Sequence, residues 1–259
     1  MSLLRRCLER VSRRVVLTRR LPARFGGRQL WVTPGAALAY YQRLEGHRWR
    51  DLFDFAGHGV APGDCVWDVG ANLGVFAFAA AHRAGPAGEV LAIEADPWLV
   101  DLMRRTVAAS APVSAPVQVL CCAVSSGPGL EEFVTPECGR SGSHLASSPG
   151  ASEELIGRPA GSHPVLTVSL DWLLELRRKP DAIKIDVEGA ELVVLQGARN
   201  LLHTHRPRVL VEVYDASADA VTTLLHEAGY TLFDFGAGWP ALRPVERAVY
   251  QTLALPRID

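Results

Sequence analysis

Four acids end four apolar runs in this chain. Asp68 follows Cys65-Val66-Trp67, and Glu94 closes Val90-Leu91-Ala92-Ile93. Asp186 follows Ile183-Lys184-Ile185, and Glu212 closes Val209-Leu210-Val211. Each run reads as a short buried strand, so each acid falls at a strand's carboxyl end. Ligands on open α/β sheets bind outside those ends. One such acid could simply cap a helix. Four together point to a single ligand-lined edge. After Asp68 comes Gly70-Ala71-Asn72-Leu73-Gly74, a G-x-N-x-G bend. Its glycines allow a sharp turn and close approach of a ligand. The spacing is not the dinucleotide fingerprint G-x-G-x-x-G. A carboxylate just ahead of the bend disfavours a pyrophosphate and suits a ligand with positive charge, an ammonium or a sulfonium. Glu94, further along, is placed to accept both hydroxyls of a ribose, as the acid of dinucleotide folds does.

The segment Asp186-Val187-Glu188-Gly189-Ala190-Glu191 gathers three carboxylates, Asp186 and two more, at a strand exit. Any could act as a general base, and a pair could hold a divalent cation that lowers a hydroxyl pKa. Glu188 and Glu191 could equally serve only to favour the following helix N-terminus. His144, within Ser141-Gly142-Ser143-His144, is either a general base delivered by a closing loop or a solvated loop histidine. No C-x-x-C or histidine cluster suggests a metal centre.

The elements that must position these residues follow from the pattern. The chain has 259 residues, of which 48 % are hydrophobic and 21 % charged, which excludes a disordered or fibrous chain. No apolar stretch is long enough for a spanning helix. From residue 61 onward, apolar strands alternate with helices, as in a parallel sheet covered on both faces. The spacing predicts strands at 65–69, 89–94, 117–124, 181–187 and 208–214, with a closing pair at 230–235 and 248–255. Helices are predicted at 75–83, 97–109, 191–202 and 218–228. Residues 127–164, rich in Ser, Gly and Pro, read as an irregular loop over the site. The predicted division is a basic extension over 1–37 and one domain over 38–259.

Charge is uneven. The first thirty residues hold nine Arg and one acid, Glu9, although the whole chain is at −1. The arm is read as a solvated extension, with an anionic membrane surface, a nucleic acid or organellar targeting as the competing uses. Lys179 and Lys184 are the two lysines, so Arg-richness partly reflects codon bias. Five cysteines, an odd number, argue against a disulfide scaffold and for a reducing cytoplasm.

Taken together, DVGANLG (68–74), EADPWLVDLMRRT (94–106), TVSLDWLL (167–174), IKIDVEGAELVVLQGA (183–198), RPRVLVEVY (206–214) and EAGYTLFDF (227–235) resemble the FkbM family of class I S-adenosylmethionine-dependent methyltransferases. The order is the family's, and the motifs cover most of residues 60–235. Two positions depart from it, Ala95 where the family often has Pro and Thr106 where it often has Asn. The resemblance implies a Rossmann-like seven-stranded sheet, mostly parallel with an antiparallel last strand. It implies S-adenosylmethionine held by Asp68, Gly70, Ala71, Asn72 and Gly74 at the methionine end, Glu94 at the ribose and Ala123 near the adenine. Asp186 is implied on the methyl side. The implied reaction is O-methylation of a small molecule, a sugar or secondary metabolite, with Asp186, Glu188 or His144 as base. An RNA or protein methyltransferase is the rival reading. Against it, the fourth strand lacks the Pro-Pro-aromatic motif of base amino-group methylation. A reductase lacks its fingerprint here, and a non-catalytic binder is the remaining alternative. Oligomeric state is not legible.

Overall fold

The computed structural model describes residues 12–109, 113–137, 139–148, 159–236 and 238–257. At the amino end, β1 (Leu17–Arg20) and β2 (Gln29–Val32) form an antiparallel hairpin. Leu21, Phe25, Leu30 and Val32 are buried in the main core, so the hairpin belongs to the domain rather than to an extension. Several arginines of the basic run are committed to this packing. Arg19 donates to the Tyr41 and Gln42 carbonyls. Arg28 is buried, donates to the Thr106 carbonyl at 2.8 Å and lies 4.7 Å over the Phe78 ring. Residues 1–11 of the arm lie outside the described residues.

Short 3-10 turns at Leu38–Tyr41 and His47–Trp49 lead into α1 (Arg50–His58). Then β3 (Cys65–Val69), α2 (Val75–Ala84), β4 (Glu89–Glu94), α3 (Pro97–Ala108) and β5 (Val117–Cys121) alternate. After β6 (Ala123–Val124), β7 (Gly129–Pro136), β8 (His144–Leu145) and β9 (Pro159–Val168), the alternation resumes. It continues through α4 (Leu170–Leu176), β10 (Ala182–Ile185), α5 (Glu191–Gln196), α6 (Arg199–Thr204), β11 (Arg208–Glu212) and α7 (Ala218–Glu227). The chain closes with β12 (Tyr230–Asp234), β13 (Arg243–Val245) and β14 (Gln251–Pro256).

The main sheet has the order β13-β12-β14-β11-β10-β3-β4-β5. The run β11-β10-β3-β4-β5 is parallel, and β14 inserts antiparallel between β11 and β12. The seven strands implied by the resemblance are present, and β13 adds an eighth at the edge. Side chains alternate between two cores. Val66, Val90 and Ala92 pack with α1, α2 and α3, whereas Trp67, Leu91 and Ile93 pack with α4 to α7. Burying each large apolar side chain of this kind stabilises by roughly 1.5–3 kcal/mol. This two-sided burial is why the strand cores are near-continuous apolar runs.

In its described residues, the span 127–164 is not the irregular loop that the sequence suggested. Together with β6 and the end of β9 it builds a second sheet, β6-β9-β7-β8. β7 and β9 pair antiparallel over most of their length. One face carries Phe133, Leu145 and Val165 onto Ala95 and Ala123. The other faces solvent, with the register partners Leu130 and Leu166 both exposed. With one covered face and many Gly, Ser and Pro, these strands show no clean period in the sequence. The helix expected over 191–202 is likewise two. It breaks at Gly197, where a Cβ would come within 2.4 Å of the Ser125 carbonyl.

Candidate active site

Strand alternation places the chemistry on one side. Asp68, Glu94, Lys184 and Glu212 share the parity of Val66, Ala92, Ala182 and Leu210, which face α1 to α3. Asp68 and Lys184 are register partners of β3 and β10. The Lys184 ammonium lies 3.5 Å from Asp68 and 3.2 Å from Asp186, and both Lys184 and Asp68 are buried. Asp68 also accepts the Ala77 N–H at 3.2 Å, in the first turn of α2. Burial raises the Asp68 pKa and Lys184 opposes that. Burial alone would lower the Lys184 pKa, but Asp186 and Asp68 together hold it above the ordinary lysine range. Asp68 thus anchors a buried ion triad and does not stand at the sheet edge as a solitary carboxylate. Lys184 went unread as a site residue. Its signal was there: one of two lysines in an arginine-rich chain sits inside an apolar strand.

The bend after β3 is fixed by backbone. The Gly70 and Ala71 N–H groups both donate to the Ile93 carbonyl, tying the bend to the tip of β4. Gly70 adopts φ +74, and a Cβ there would lie 1.8 Å from the Asp186 carbonyl oxygen. Close approach of chain to chain therefore requires this glycine. Gly74 lines neither cleft described below. It is the N-cap of α2, and a Cβ there would meet the Phe78 ring at 2.7 Å.

Glu94 is fixed by two backbone donors. Its Oε2 accepts the Asn72 N–H at 2.8 Å and its Oε1 accepts the Asp96 N–H at 2.8 Å. Each oxygen keeps a further lone pair. Burial pushes its pKa up to about 7, against the pull of those N–H groups. Asp96 caps α3 through the Trp98 N–H and receives Arg140 at 2.5 Å. Arg140 opens a 3-10 turn over 140–142 between β7 and β8. Its N–H and that of Ser141 donate to the Gly35 and Ala36 carbonyls. The turn is thus strapped to both the amino-terminal segment and α3.

Two clefts flank this strap. The first runs from Glu94 and Asn72 past Ala123, Phe133 and Leu145. Gly70, His144, Asp186 and Glu188 also line it. Asn72 Oδ1, Arg140 Nε and Ser143 Oγ are buried there without a protein partner. A ligand with apolar faces and polar edges would satisfy them. The second cleft lies toward α1. Asp68, Ala71, Lys184 and Glu212 line it with Tyr40 and Arg48. Asp186 is the acid common to both clefts among the described residues.

The other carboxylates divide. Glu188 lines the first cleft at φ +53, a strained conformation for a side chain other than glycine. It accepts the Tyr214 hydroxyl at 2.5 Å, and burial with the nearby Asp186 raises its pKa to about 8. Glu212 accepts the Tyr250 hydroxyl at 2.7 Å, and burial with Asp186 raises it to about 6. Glu191 lines neither cleft. It is buried and accepts the Gly189 N–H at 2.9 Å, the helix-terminus role open to it from sequence. His144 is a strand residue paired with Val134, not a loop histidine, and its Nδ1 lies 3.0 Å from the Gly142 carbonyl. No group of three or more His, Cys, Asp or Glu placed to hold a metal occurs among the described residues.

Residues 68–232 match the methyltransferase FkbM domain. The chain belongs to that family. Hexuronic acid methyltransferase AglP of Haloferax volcanii is 34 % identical over 169 residues, which span 64 % of this chain and 62 % of the relative. Methyltransferase sdnD of Sordaria araneosa is 28 % identical over 67 % of this chain and 76 % of the relative. The crystal structure of an FkbM methyltransferase from Methylobacillus flagellatus superposes with a TM-score of 0.50 at 16 % identity, covering 78 % of this chain and 47 % of that one. This chain therefore spans less than two thirds of two of these proteins. An FkbM domain uses S-adenosylmethionine, and the first cleft fits it. Glu94 offers lone pairs to a ribose diol, the Phe133–Leu145 wall offers an apolar slot, and Asn72 and Ser143 offer unpartnered polar atoms. Among the described residues, no helix is long and apolar enough to cross a membrane.

Proposed function

We propose that this FkbM domain methylates a hydroxyl of a small polar acceptor, a sugar or a secondary metabolite, with the cofactor in the first cleft and the acceptor in the second. The observation that carries this reading is Asp186, the acid that faces both clefts beside the buried Lys184 ammonium. When bound, S-adenosylmethionine supplies a methyl group on a sulfonium. Asp186 is assigned the protein's part. It orients the acceptor hydroxyl and takes its proton as the oxygen takes the methyl group. Lys184 fixes the position of Asp186 through their ion pair. Glu188 holds the neighbouring wall through Tyr214, and His144 stands on the far wall as part of the cofactor enclosure. Glu94 is assigned to the ribose and Asn72 to the methionine side. The small sheet and its Arg140 strap exclude water from the first cleft.

The relatives support the acceptor class, since one is named for a hexuronic acid. Free thiols at Cys65, Cys121 and Cys122 support a cytoplasmic setting. The test is calorimetry with S-adenosylhomocysteine, followed by mass spectrometry of sugar and hydroxy-acid panels incubated with S-adenosylmethionine. A binding isotherm with a 1:1 stoichiometry and one methylated product are expected. Absence of S-adenosylhomocysteine binding would contradict the reading.

A further inference from the structure

The second cleft carries a charge pattern that the transfer step alone does not require. Its floor is acidic, with Asp186 and Glu212 at the tips of β10 and β11. Its outer wall carries Arg48, in the 3-10 turn His47–Trp49, and Asp51, whose carboxylate is paired with Arg50 at 3.4 Å. Arg48 is exposed and has no ion-pair or hydrogen-bond partner among the described residues. The other cations lining the two clefts are both engaged, Lys184 with Asp68 and Asp186, and Arg140 with Asp96. Beside Arg48, Tyr40 and Trp49 pack ring to ring at 5.1 Å and give the cleft a rigid apolar wall. The cleft is thus bipolar: hydroxyl-accepting oxygens at the floor, an uncommitted guanidinium at the rim.

We propose that the second cleft takes an acceptor bearing a carboxylate on a polyhydroxylated ring, with Arg48 receiving the carboxylate while the floor receives the hydroxyls. This rests on the methyl-transfer reading and specifies its acceptor. The polarity fixes the orientation. A carboxylate at the floor would meet Asp186 and Glu212, so the anion turns outward and a ring hydroxyl turns toward Asp186. Guanidinium and carboxylate match as paired donors and acceptors. A phosphate dianion fits less well. One uncommitted cation lines the cleft, and Asp51 occupies the first turn of the adjacent α1, cancelling the helix terminus that would favour a dianion. The cofactor's own α-carboxylate has the same chemistry, so the test must separate the two sources.

The experiment uses the full chain as wild type, Arg48→Ala and Arg48→Lys. S-adenosylhomocysteine is titrated first. Glucuronate, glucose and glucose 6-phosphate are then titrated into the saturated protein. A charge-assisted hydrogen bond of this kind corresponds to roughly a 10- to 100-fold change in affinity. Glucuronate is expected to weaken by that factor in Arg48→Ala and by less in Arg48→Lys. Glucose and S-adenosylhomocysteine should stay within about twofold, because Arg48 supports no fold contact. Unchanged glucuronate affinity, or none in wild type, overturns the proposal. A parallel loss of S-adenosylhomocysteine affinity assigns Arg48 to the cofactor and also overturns it. Tighter glucose 6-phosphate than glucuronate binding, lost in Arg48→Ala, replaces carboxylate by phosphate. Failure of wild type to bind S-adenosylhomocysteine would instead remove the methyl-transfer reading itself.

Discussion

The two clefts share a floor and differ in their walls. Gly70, Asn72, Ser141 and Asp186 line both. The first is closed by the small second sheet, whose inner face brings Phe133, Leu145 and Val165 together. The second is closed by the amino-terminal segment, whose turn carries Arg48 and whose aromatic pair backs the polar rim. The floor comes from strand tips that are held from both faces of the sheet. The walls come from segments attached to only one side. The two walls meet at the Arg140 turn, whose N–H groups bond the amino-terminal segment, and in the proposed arrangement the shared floor serves the cofactor on one side and the acceptor on the other.

The comparison breaks most sharply at the shared acid. Asp186→Asn should lower kcat by about 10²–10⁴ while leaving S-adenosylhomocysteine affinity within a few-fold, read by steady-state kinetics beside calorimetry. Comparable loss of both would place Asp186 in cofactor binding instead. Next is the floor itself. Lys184→Met leaves Asp68 and Asp186 without their cation in a buried site, and denaturant unfolding should show a loss of about 3–5 kcal/mol.

The two sheets differ in legibility for a physical reason. β3, β4, β10 and β11 are buried on both faces, so their residues are apolar almost without interruption and their tips stand out as acids. β7 and β9 cover one face only, and exposed positions such as Gly161, Ser162 and Leu166 hide the alternation. The acid at the tip of β4 and the bend after β3 were readable from Glu94 and residues 70–74. Arg140 was not, because its role depends on Asp96 across a long sequence separation. Nor was the hairpin, where Arg19 and Arg28 act as packing and hydrogen-bonding groups although their composition suggests a solvated arm.

The buried carboxyls around the clefts also set a pH signature. Glu94, Glu188, Glu191 and Glu212 all have raised pKa values, at about 7, 8, 7 and 6 against an ordinary 4.5. A carboxyl whose folded pKa is raised binds protons more tightly in the folded state. Its contribution is therefore present below the unfolded pKa and is lost as pH rises through the folded one. Stability without ligand should fall between about pH 5 and 8, by at most about 1.4 kcal/mol per pH unit for each such group. Denaturation series at the two ends check this, and Glu191→Gln should flatten the slope. The smallest effect is confined to the first cleft. Arg140→Ala removes the strap's grip on Asp96 and should speed S-adenosylhomocysteine dissociation about 5- to 30-fold in stopped flow, with glucuronate binding to the second cleft unaltered.

In the proposed function, Glu94 holds a nucleoside cofactor at the tip of β4. Calorimetric titration of S-adenosylhomocysteine into wild type and Glu94→Ala tests it directly. Wild type should bind, and the variant should lose at least tenfold in affinity while keeping a native far-ultraviolet circular dichroism spectrum. Equal affinities in two folded proteins would contradict the account.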